Sequence, residues 1–359
     1  MDSALQQITE RVRAAAADGT PLRIRGGGSK DFYGQTLQGE VLDTRSLSGI
    51  VSYEPTELVV TVRAGTPLAE LEAALAEKGQ YLPFEPPHFS AGGALATVGG
   101  MVAAGLNGPA RGAVGAVRDF VLGVTVLNGR GELLSFGGQV MKNVAGYDVS
   151  RLMAGSLGTL GLIVEVSLKV LPLAPAEATL VYEVDEAKAL SMLNRWGGQP
   201  LPVNASCWHA DALMVRLRGA QAAVTAAPQS MGGQLMAPEQ AQQLWTALRE
   251  QTGPFFGLQP HESLLRLSVP DTSASLRLGH TLVEWGGAQR WIKVPSTQIA
   301  EIRAKMVELG GHATVFRAGE KPAQVFTPLA SPLDRIHREL KKQFDPAGIF
   351  NRGRMYADF

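Results

Sequence analysis

The chain has 359 residues, a length typical of about two domains at roughly 150 residues each. Its 33 Lys and Arg residues balance its 33 Asp and Glu residues, so the net charge gives no electrostatic reason to expect nucleic acid or an anionic membrane as a partner. Hydrophobic residues make up 45% and charged residues 18%, which excludes a disordered chain and leaves enough material for a large core.

Glycine is concentrated in one part of the sequence. Residues 86–161 contain 17 of the 41 glycines, whereas the longer stretch 162–359 contains 15. The glycines follow no G-X-Y repeat, which excludes collagen. A glycine excess inside an apolar stretch indicates backbone that packs closely against another group.

Three features restrict the cellular setting. Residues 4–16 have apolar side chains at helical spacing and no basic stretch before an apolar core, which predicts an amphipathic helix and not a signal peptide. Residues 89–110 carry no charge, but their six glycines and Pro109 argue against a membrane-spanning helix. The single cysteine, Cys207, excludes an internal disulfide and Cys-based metal sites, and fits a reducing, cytoplasmic compartment.

The first half of the chain is rich in predicted strands. A helix is predicted over 68–79, with Thr66 as its N-cap and Pro67 at the first helical position. The Asn128-Gly129 pair between two apolar runs predicts a hairpin. The predicted strand segments are 21–25, 41–47, 49–55, 57–65, 119–137 and 160–175.

A linker is predicted at 172–178, where proline and alanine interrupt the strand pattern. The region after it alternates strands and amphipathic helices, and we expect an α+β domain with its helices on one face of a sheet. The tail 337–356 is predicted to form a short helix followed by a Pro- and Gly-containing ending.

Residues 25–30, with the sequence RGGGSK, follow a predicted strand directly. Successive glycines allow backbone N–H groups to converge on an anion, and Ser29 and Lys30 add two further donors, so a diphosphate would fit. The order of residues is not that of a P-loop, and no helix opens here as in a dinucleotide-binding GxGxxG motif. An ordinary surface turn explains the triple glycine equally well.

Residues 97–123 are dominated by small side chains without helical periodicity. A disordered linker would leave Met101, Val102 and Leu106 exposed, so we interpret the stretch as a loop system around a ligand. Further on, Gly155, Gly158 and Gly161 recur before a strand, which is also typical of tight turns. A structural ion-pair cluster, not a catalytic one, is the prediction for Lys142, Tyr147, Asp148 and Arg151.

Taken in order, these segments resemble the FAD-binding domain of the PCMH/vanillyl-alcohol oxidase flavoprotein superfamily, in its D-lactate dehydrogenase and glycolate oxidase branch. The sequence of residues 48–71 and the tail FDPAGIFNRGRMY look most like the family of FAD-binding E subunits of glycolate oxidase (glycolate dehydrogenase). The matching segments are Arg25–Gly28, Val62–Leu71, Thr97–Gly123, Lys142–Ile163 and Phe344–Arg354.

The resemblance implies an α+β fold, namely a PCMH-type two-subdomain FAD-binding domain with a smaller α+β cap domain. We therefore expect the FAD-binding domain over residues 1–171 and the cap over 172–315. The C-terminal segment 316–359 is expected to return to the FAD-binding domain.

The same resemblance implies the cofactor-binding residues. Those expected at the FAD diphosphate are Arg25, Gly26, Gly27, Gly28, Ser29 and Lys30. Those expected in a second phosphate or flavin loop are Thr97, Gly99 and Gly100, and those along the nucleotide are Gly105, Gly108, Arg111 and Gly112. Gly161 and Ile163 are expected beside the adenosine.

The resemblance also bears on how FAD is attached. Family members that tether FAD covalently carry a His in or beside the first glycine loop, or a Cys in the later loop. Here the first loop has Ser29 and Lys30, and Cys207 lies outside the expected FAD-binding domain. Non-covalent FAD is the prediction.

In that family the E subunit works with a second flavin subunit and an iron–sulfur subunit to oxidise glycolate to glyoxylate. Such oxidation of a small 2-hydroxy acid needs a carboxylate clamp and a base or metal. The six histidines show no close pairing typical of metal ligands, so no metal site is predicted and the catalytic residues stay unassigned.

Two functions are open: a flavin subunit that relays electrons, and a self-sufficient FAD-dependent D-2-hydroxy-acid dehydrogenase. The first is favoured, because the sequence lacks a histidine spacing typical of metal ligands. A pure assembly subunit is a third hypothesis, against which the intact glycine loops argue. A Rossmann NAD enzyme is a weak alternative, because no strand–GxGxxG–helix unit is present. We expect a cytoplasmic protein without its own membrane span, attached to the inner membrane at most through its partner subunits.

Overall fold

The computed structural model describes residues 2–138 and 148–359. The chain forms two units. Unit 1 contains Met1–Leu106, Ala116–Pro172 and Pro328–Phe359, and unit 2 contains Asn107–Gly115 and Leu173–Thr327. The domain boundaries that we expect at 171/172 and 315/316 remain a prediction, because the division into two units does not test them.

The described residues form the following elements. The helices are α1 (Ser3–Asp18), α2 (Leu68–Ala76), α3 (Val98–Ala104), α4 (Arg111–Val114), α5 (Val117–Phe120), α6 (Val149–Leu152), α7 (Glu186–Gly197), α8 (Gln221–Met231), α9 (Pro238–Glu250), α10 (Ile299–Glu308) and α11 (Leu333–Phe344). The strands are β1 (Leu22–Arg25), β2 (Glu40–Asp43), β3 (Ile50–Glu54), β4 (Val59–Arg63), β5 (Gln80–Tyr81), β6 (Val121–Leu127), β7 (Leu133–Gly137), β8 (Leu162–Lys169), β9 (Leu171–Pro172), β10 (Ala176–Glu183), β11 (Val203–His209), β12 (Ala212–Gly219), β13 (Gln234–Leu235), β14 (Glu262–Ser268), β15 (Thr281–Glu284), β16 (Gln289–Pro295) and β17 (His312–Ala318).

Within the described part of unit 1, the largest sheet is antiparallel with the strand order β3-β4-β8-β6-β7. A parallel pair, β1-β2, lies beside the C-terminal segment, where Leu22 forms an isolated bridge with Phe350. The amphipathic helix predicted at the N-terminus is confirmed as α1, and Ile8, Val12 and Ala15 of its apolar stripe are buried. They join a core with Phe350, so residues from both ends of the chain share one core.

The Asn128-Gly129 hairpin is confirmed between β6 and β7. The Asn128 side chain is buried, and its Oδ1 accepts hydrogen bonds from the backbone N–H groups of Arg130 (2.9 Å) and Glu132 (3.0 Å). An asparagine that holds the backbone of its own turn in this way stabilises the reversal of the chain.

Two predictions for the first half of the chain are wrong. The N-cap of α2 is Pro67 and not Thr66, because the Thr66 hydroxyl accepts from Gly49 N–H at 2.9 Å instead of capping the helix. Residues 97–123 are not loop throughout, since they form α3, α4, α5 and the start of β6. In α3 the Thr97 hydroxyl caps the first turn, and Gly105 ends the helix with φ of 64°. Capping residues at both ends therefore define this helix, although its sequence lacks the apolar periodicity of an amphipathic helix.

Replacing Thr66 with valine is expected to lower the free energy of unfolding by about 1 kcal/mol. The change keeps the shape of a side chain that is fully buried and removes the hydroxyl that also donates to Gly49 O at 3.3 Å. Urea unfolding measures the effect. Thr56→Val at an exposed turn position is the control, and an equal loss in both variants would contradict the role of the Thr66 hydroxyl.

Unit 2 is built on an antiparallel sheet with the strand order β13-β10-β12-β11-β15-β16-β14-β17. Leu180 of β10 packs into a core with Trp196 of α7. The neighbouring Thr179 points to the opposite face, because side chains alternate along a strand, and its Oγ1 accepts from Trp245 Nε1 of α9 at 2.9 Å. The prediction that all helices lie on one face is therefore wrong for α9.

Candidate functional site

A cleft in unit 1 brings together most of the predicted cofactor-binding residues. We call it the glycine cleft. The predicted residues that line it are Arg25, Gly26, Gly27, Gly28, Ser29, Lys30, Thr97, Gly99, Gly100, Gly161 and Ile163. The lining residues that the sequence analysis did not assign to the cofactor are Ile24, Asp31, Leu37, Thr44, Ala64, Leu95, Ala103, Ala104, Leu157, Gly158, Asn351 and Arg354.

The first glycines of the loop after β1 are required by close backbone packing. A Cβ on Gly27 would collide with the carbonyl oxygen of Leu95 and lie 2.7 Å from its carbonyl carbon. A Cβ on Gly26 would overlap the Thr97 hydroxyl. Gly28 forms an isolated parallel bridge with Leu95, so the loop runs alongside the segment that leads into α3. Both backbones can form this wall of the cleft because these positions carry no side chain.

The side chain of Arg25, the last residue of β1, packs against the glycine loop that follows. Its Nε lies 2.8 Å from Asp31 Oδ2 in an ion pair that is about one-third exposed. A Cβ on Gly28 would contact the Arg25 guanidinium, and Gly28 has a φ of 78°, a left-handed conformation that favours glycine. The pair therefore fixes the guanidinium beside the glycine backbone.

The Lys30 side chain contacts residues 88–89, a segment that is distant in sequence. Its Nζ lies 3.2 Å from Ser29 Oγ, 3.4 Å from His88 O and 5.8 Å from the centroid of the Phe89 ring. The imidazole of His88 in turn pairs with Glu72, with Nε2 and Oε2 2.8 Å apart. The ammonium group thus lies at the rim of the cleft with its position set by a second loop.

The second predicted loop enters the cleft through α3. Gly99 N–H donates to Ala64 O at 2.7 Å, and a Cβ on Gly99 would lie 2.6 Å from the Ala64 Cβ. Gly161, just before β8, is packed as tightly, since its Cβ would lie 2.6 Å from Val126 Cγ1. The glycines of these positions bring α3 and β8 close to their neighbours and leave the cleft open between them.

Four predicted residues do not line the glycine cleft. Gly105 ends α3, where a Cβ would lie 2.8 Å from Gly155 Cα. The other three lie in unit 2 around Trp285, whose Nε1 donates to Gly108 O at 3.1 Å. The Arg111 guanidinium lies 4.6 Å from the Trp285 ring centroid, and a Cβ on Gly112 would lie 3.2 Å from Trp285 Cα. These contacts explain their residue types by packing within unit 2.

The C-terminal segment supplies residues of the cleft that the sequence analysis missed. Asn351 Oδ1 accepts from Ile24 N–H at 2.8 Å, and its Nδ2 donates to Leu157 O. Arg354 is buried and donates to main-chain carbonyls of the loop after β1. The signal was present in the tail motif FDPAGIFNRGR, which carried the resemblance without assigning a role to either residue.

The charges of the cleft suit an anionic ligand. Among the described residues that line it, Arg25, Lys30 and Arg354 are cationic and Asp31 is acidic. Burial lowers the pKa of Arg354 to about 10, and nearby Asp31 acts in the opposite direction. A buried cation beside glycine backbone fits a diphosphate, so the residues present fit FAD.

The remaining predicted features are placed as follows. Asp148 and Arg151 pair with Oδ2 and Nε 2.7 Å apart on the surface, while Lys142 and Tyr147 lie outside the described residues. Cys207 is fully buried in β11, and burial raises the pKa of its thiol well above the ordinary value. Residues 2–138 and 148–359 contain no group of three or more His, Cys, Asp or Glu side chains arranged to hold a metal ion. In the same residues, no helix has the length and apolar character needed to cross a membrane.

Comparison with known proteins agrees with this geometry. A family model described as an FAD binding domain matches residues 3–137. Among solved structures, alkyldihydroxyacetonephosphate synthase superposes with a TM-score of 0.67 at 15% identity, covering 96% of this chain and 75% of that one. Residues 3–137 therefore belong to an FAD-binding domain, and the fold is of the PCMH type.

Similarity over the full length narrows the class further. The chain is 49% identical over 354 residues to the glycolate oxidase subunit GlcE of Escherichia coli K12, covering 98% of this chain and 97% of that one. It is 29% identical over 199 residues to the glycolate oxidase subunit GlcD of Bacillus subtilis 168, covering 54% of this chain and 42% of that one. The chain belongs to the GlcE family of glycolate oxidase subunits.

Proposed function

We propose that this chain is the FAD-binding subunit of a multi-subunit glycolate oxidase that oxidises glycolate to glyoxylate. The observation that carries the proposal is the 49% identity to GlcE over nearly the whole length of both chains. The glycine cleft supports it, because its glycine walls and its excess of cations suit the diphosphate of FAD.

The chain's own residues would hold the cofactor as follows. The loop Gly26 to Lys30 would face the diphosphate, with Arg25 and Lys30 providing positive charge beside it. Thr97, Gly99 and Gly100 would form a second wall, and Gly161 with Ile163 would lie beside the adenosine. FAD, when bound, supplies a two-electron acceptor for the oxidation of a CH–OH group.

The proposed partners are a second flavin subunit and an iron–sulfur subunit, which would receive the electrons. The GlcD similarity supports a relationship to another subunit of such an enzyme. Co-purification of the tagged chain from its own cells tests the proposal. Companion proteins with flavin and iron–sulfur spectra are expected, and a chain that purifies alone at full activity would contradict it.

The alternative is a self-sufficient FAD-dependent D-2-hydroxy-acid dehydrogenase. Dye reduction with glycolate, measured on the isolated chain and on the purified complex, separates the two functions. Activity that appears only in the complex supports the subunit role, whereas equal activity per flavin in the isolated chain supports the alternative. Fractionation of the same cells tests the proposed cytoplasmic location with attachment to the inner membrane only through partners.

We expect FAD to leave the protein when it is denatured. The loop beside the cleft carries Ser29 and Lys30, and Cys207 is buried in unit 2, so no described residue of the cleft offers the His or Cys needed for a covalent bond. Precipitation with trichloroacetic acid followed by absorbance of the supernatant measures the release. Flavin that stays with the protein pellet would contradict non-covalent binding.

A further inference from the structure

The guanidinium of Arg354 binds the backbone of the loop that follows β1. Arg354 is only 5% exposed. Its Nη2 donates to Lys30 O at 3.2 Å and to Asp31 O at 3.1 Å. Nη1 donates to Gln35 O. One planar group thus collects three main-chain carbonyls from the second half of the loop.

The backbone of Arg354 contributes to the same contact. Gln35 N–H donates to Arg354 O at 2.9 Å. Gly34 has a φ of 84°, and a Cβ there would lie 3.0 Å from Arg354 O, so the two backbones meet directly. The loop and the tail are therefore bonded in both directions at this point.

Asp31 connects this contact to the wall of the glycine cleft. Its carbonyl oxygen is held by Arg354, and its carboxylate is held by Arg25, whose guanidinium lies against Gly28. Asp31 is therefore held by Arg354 at its backbone and by Arg25 at its side chain. A guanidinium suits the task because its donors lie in one rigid plane, whereas an ammonium group has a single nitrogen.

We propose that Arg354 is a positioning residue for FAD: it acts through the backbone of Lys30 and Asp31 and holds the loop in the conformation that receives the diphosphate. This inference rests on the proposed FAD-binding function. Because coupling between sites is reciprocal, FAD binding should also hold the tail in place.

The test uses the full-length chain with its flavin removed, as wild type, Arg354→Lys, Arg354→Ala and Arg352→Ala. Arg352 is the matched control, since it lies two residues away, is exposed, and donates from Nε to Gly348 O at 3.0 Å. The dissociation constants of FAD, ADP and adenosine are measured by calorimetry, below the unfolding temperature of each variant.

We expect Arg354→Ala to weaken FAD and ADP about 10- to 100-fold, the size that follows from losing hydrogen bonds of a charged donor. Arg354→Lys should recover part of the lost affinity, and Arg352→Ala should bind FAD and ADP with wild-type affinity. Adenosine lacks phosphate, so all four proteins should bind it with the same affinity. If Arg354→Ala does not fold, Arg354→Lys carries the comparison with a smaller expected loss.

Two results would overturn the inference. The first is wild-type affinity for FAD in the Arg354 variants together with a lower unfolding temperature, which is the result of a merely structural role. The second is an equal loss for adenosine, which would place the effect away from the diphosphate. A wild-type chain that binds no FAD would instead contradict the proposed function, so the two failures are distinguishable.

Discussion

Replacing Gly27 with alanine is expected to lower the FAD content of the purified protein about tenfold or more. The added Cβ would collide with the carbonyl group of Leu95, which is backbone and cannot rotate away as a side chain could. Forcing one extra methyl group into such a contact costs about 1–3 kcal/mol. Because Gly27 and Leu95 both line the glycine cleft, we expect this cost to reshape the wall that receives FAD.

The measurement is the ratio of flavin to protein absorbance after purification, followed by titration of the flavin-free protein with FAD. Gly138→Ala is the matched control in unit 1, since a Cβ at that position would meet no heavy atom of the described residues within 4 Å. Normal flavin content in Gly27→Ala, equal to that of the control, would show that the close approach to Leu95 is not needed.

Replacing Lys341 with methionine is expected to lower the free energy of unfolding by about 3–5 kcal/mol. The buried Lys341 Nζ lies 2.6 Å from Asp345 Oδ2 and donates to Thr159 O and Phe350 O, both at 2.8 Å. Burial lowers the pKa of Lys341, and Asp345 opposes that shift. Removing the ammonium would leave the buried Asp345 carboxylate without its cation.

A double variant separates charge from packing. Adding Asp345→Asn to Lys341→Met removes the uncompensated carboxylate, so the double variant should be more stable than Lys341→Met alone. Urea unfolding measures both, and Lys342→Met, at an exposed neighbouring position, should stay within about 0.5 kcal/mol of wild type. A double variant less stable than Lys341→Met would contradict a buried ion pair as the source of the loss.

Local patterns in the sequence were sufficient for several elements. The apolar spacing of residues 4–16 predicted α1, and Asn128-Gly129 predicted the hairpin of β6 and β7, because both depend on residues close in the chain. The order of the glycine motifs predicted the FAD-binding class, and 11 of the 15 residues predicted to bind the cofactor line the glycine cleft.

The remaining features depend on contacts between distant residues. The Thr66 hydroxyl binds Gly49, a partner that no capping pattern around residue 66 reveals. Gly108, Arg111 and Gly112 match a cofactor motif, yet each of them contacts Trp285 in unit 2. Arg354 could be recognised as part of a motif, but its carbonyl partners follow only from the position of a loop at the other end of the sequence.

The bond between Arg354 and Asp31 joins residues 323 positions apart, which has a consequence for biosynthesis. At roughly 5–20 residues per second, the ribosome makes Asp31 about 15–60 s before Arg354 exists. The residues of unit 2 end at Thr327, so that unit can fold on the nascent chain while the glycine cleft still lacks one wall. We therefore expect loading with FAD to be completed after synthesis of the tail and not during growth of the N-terminal half.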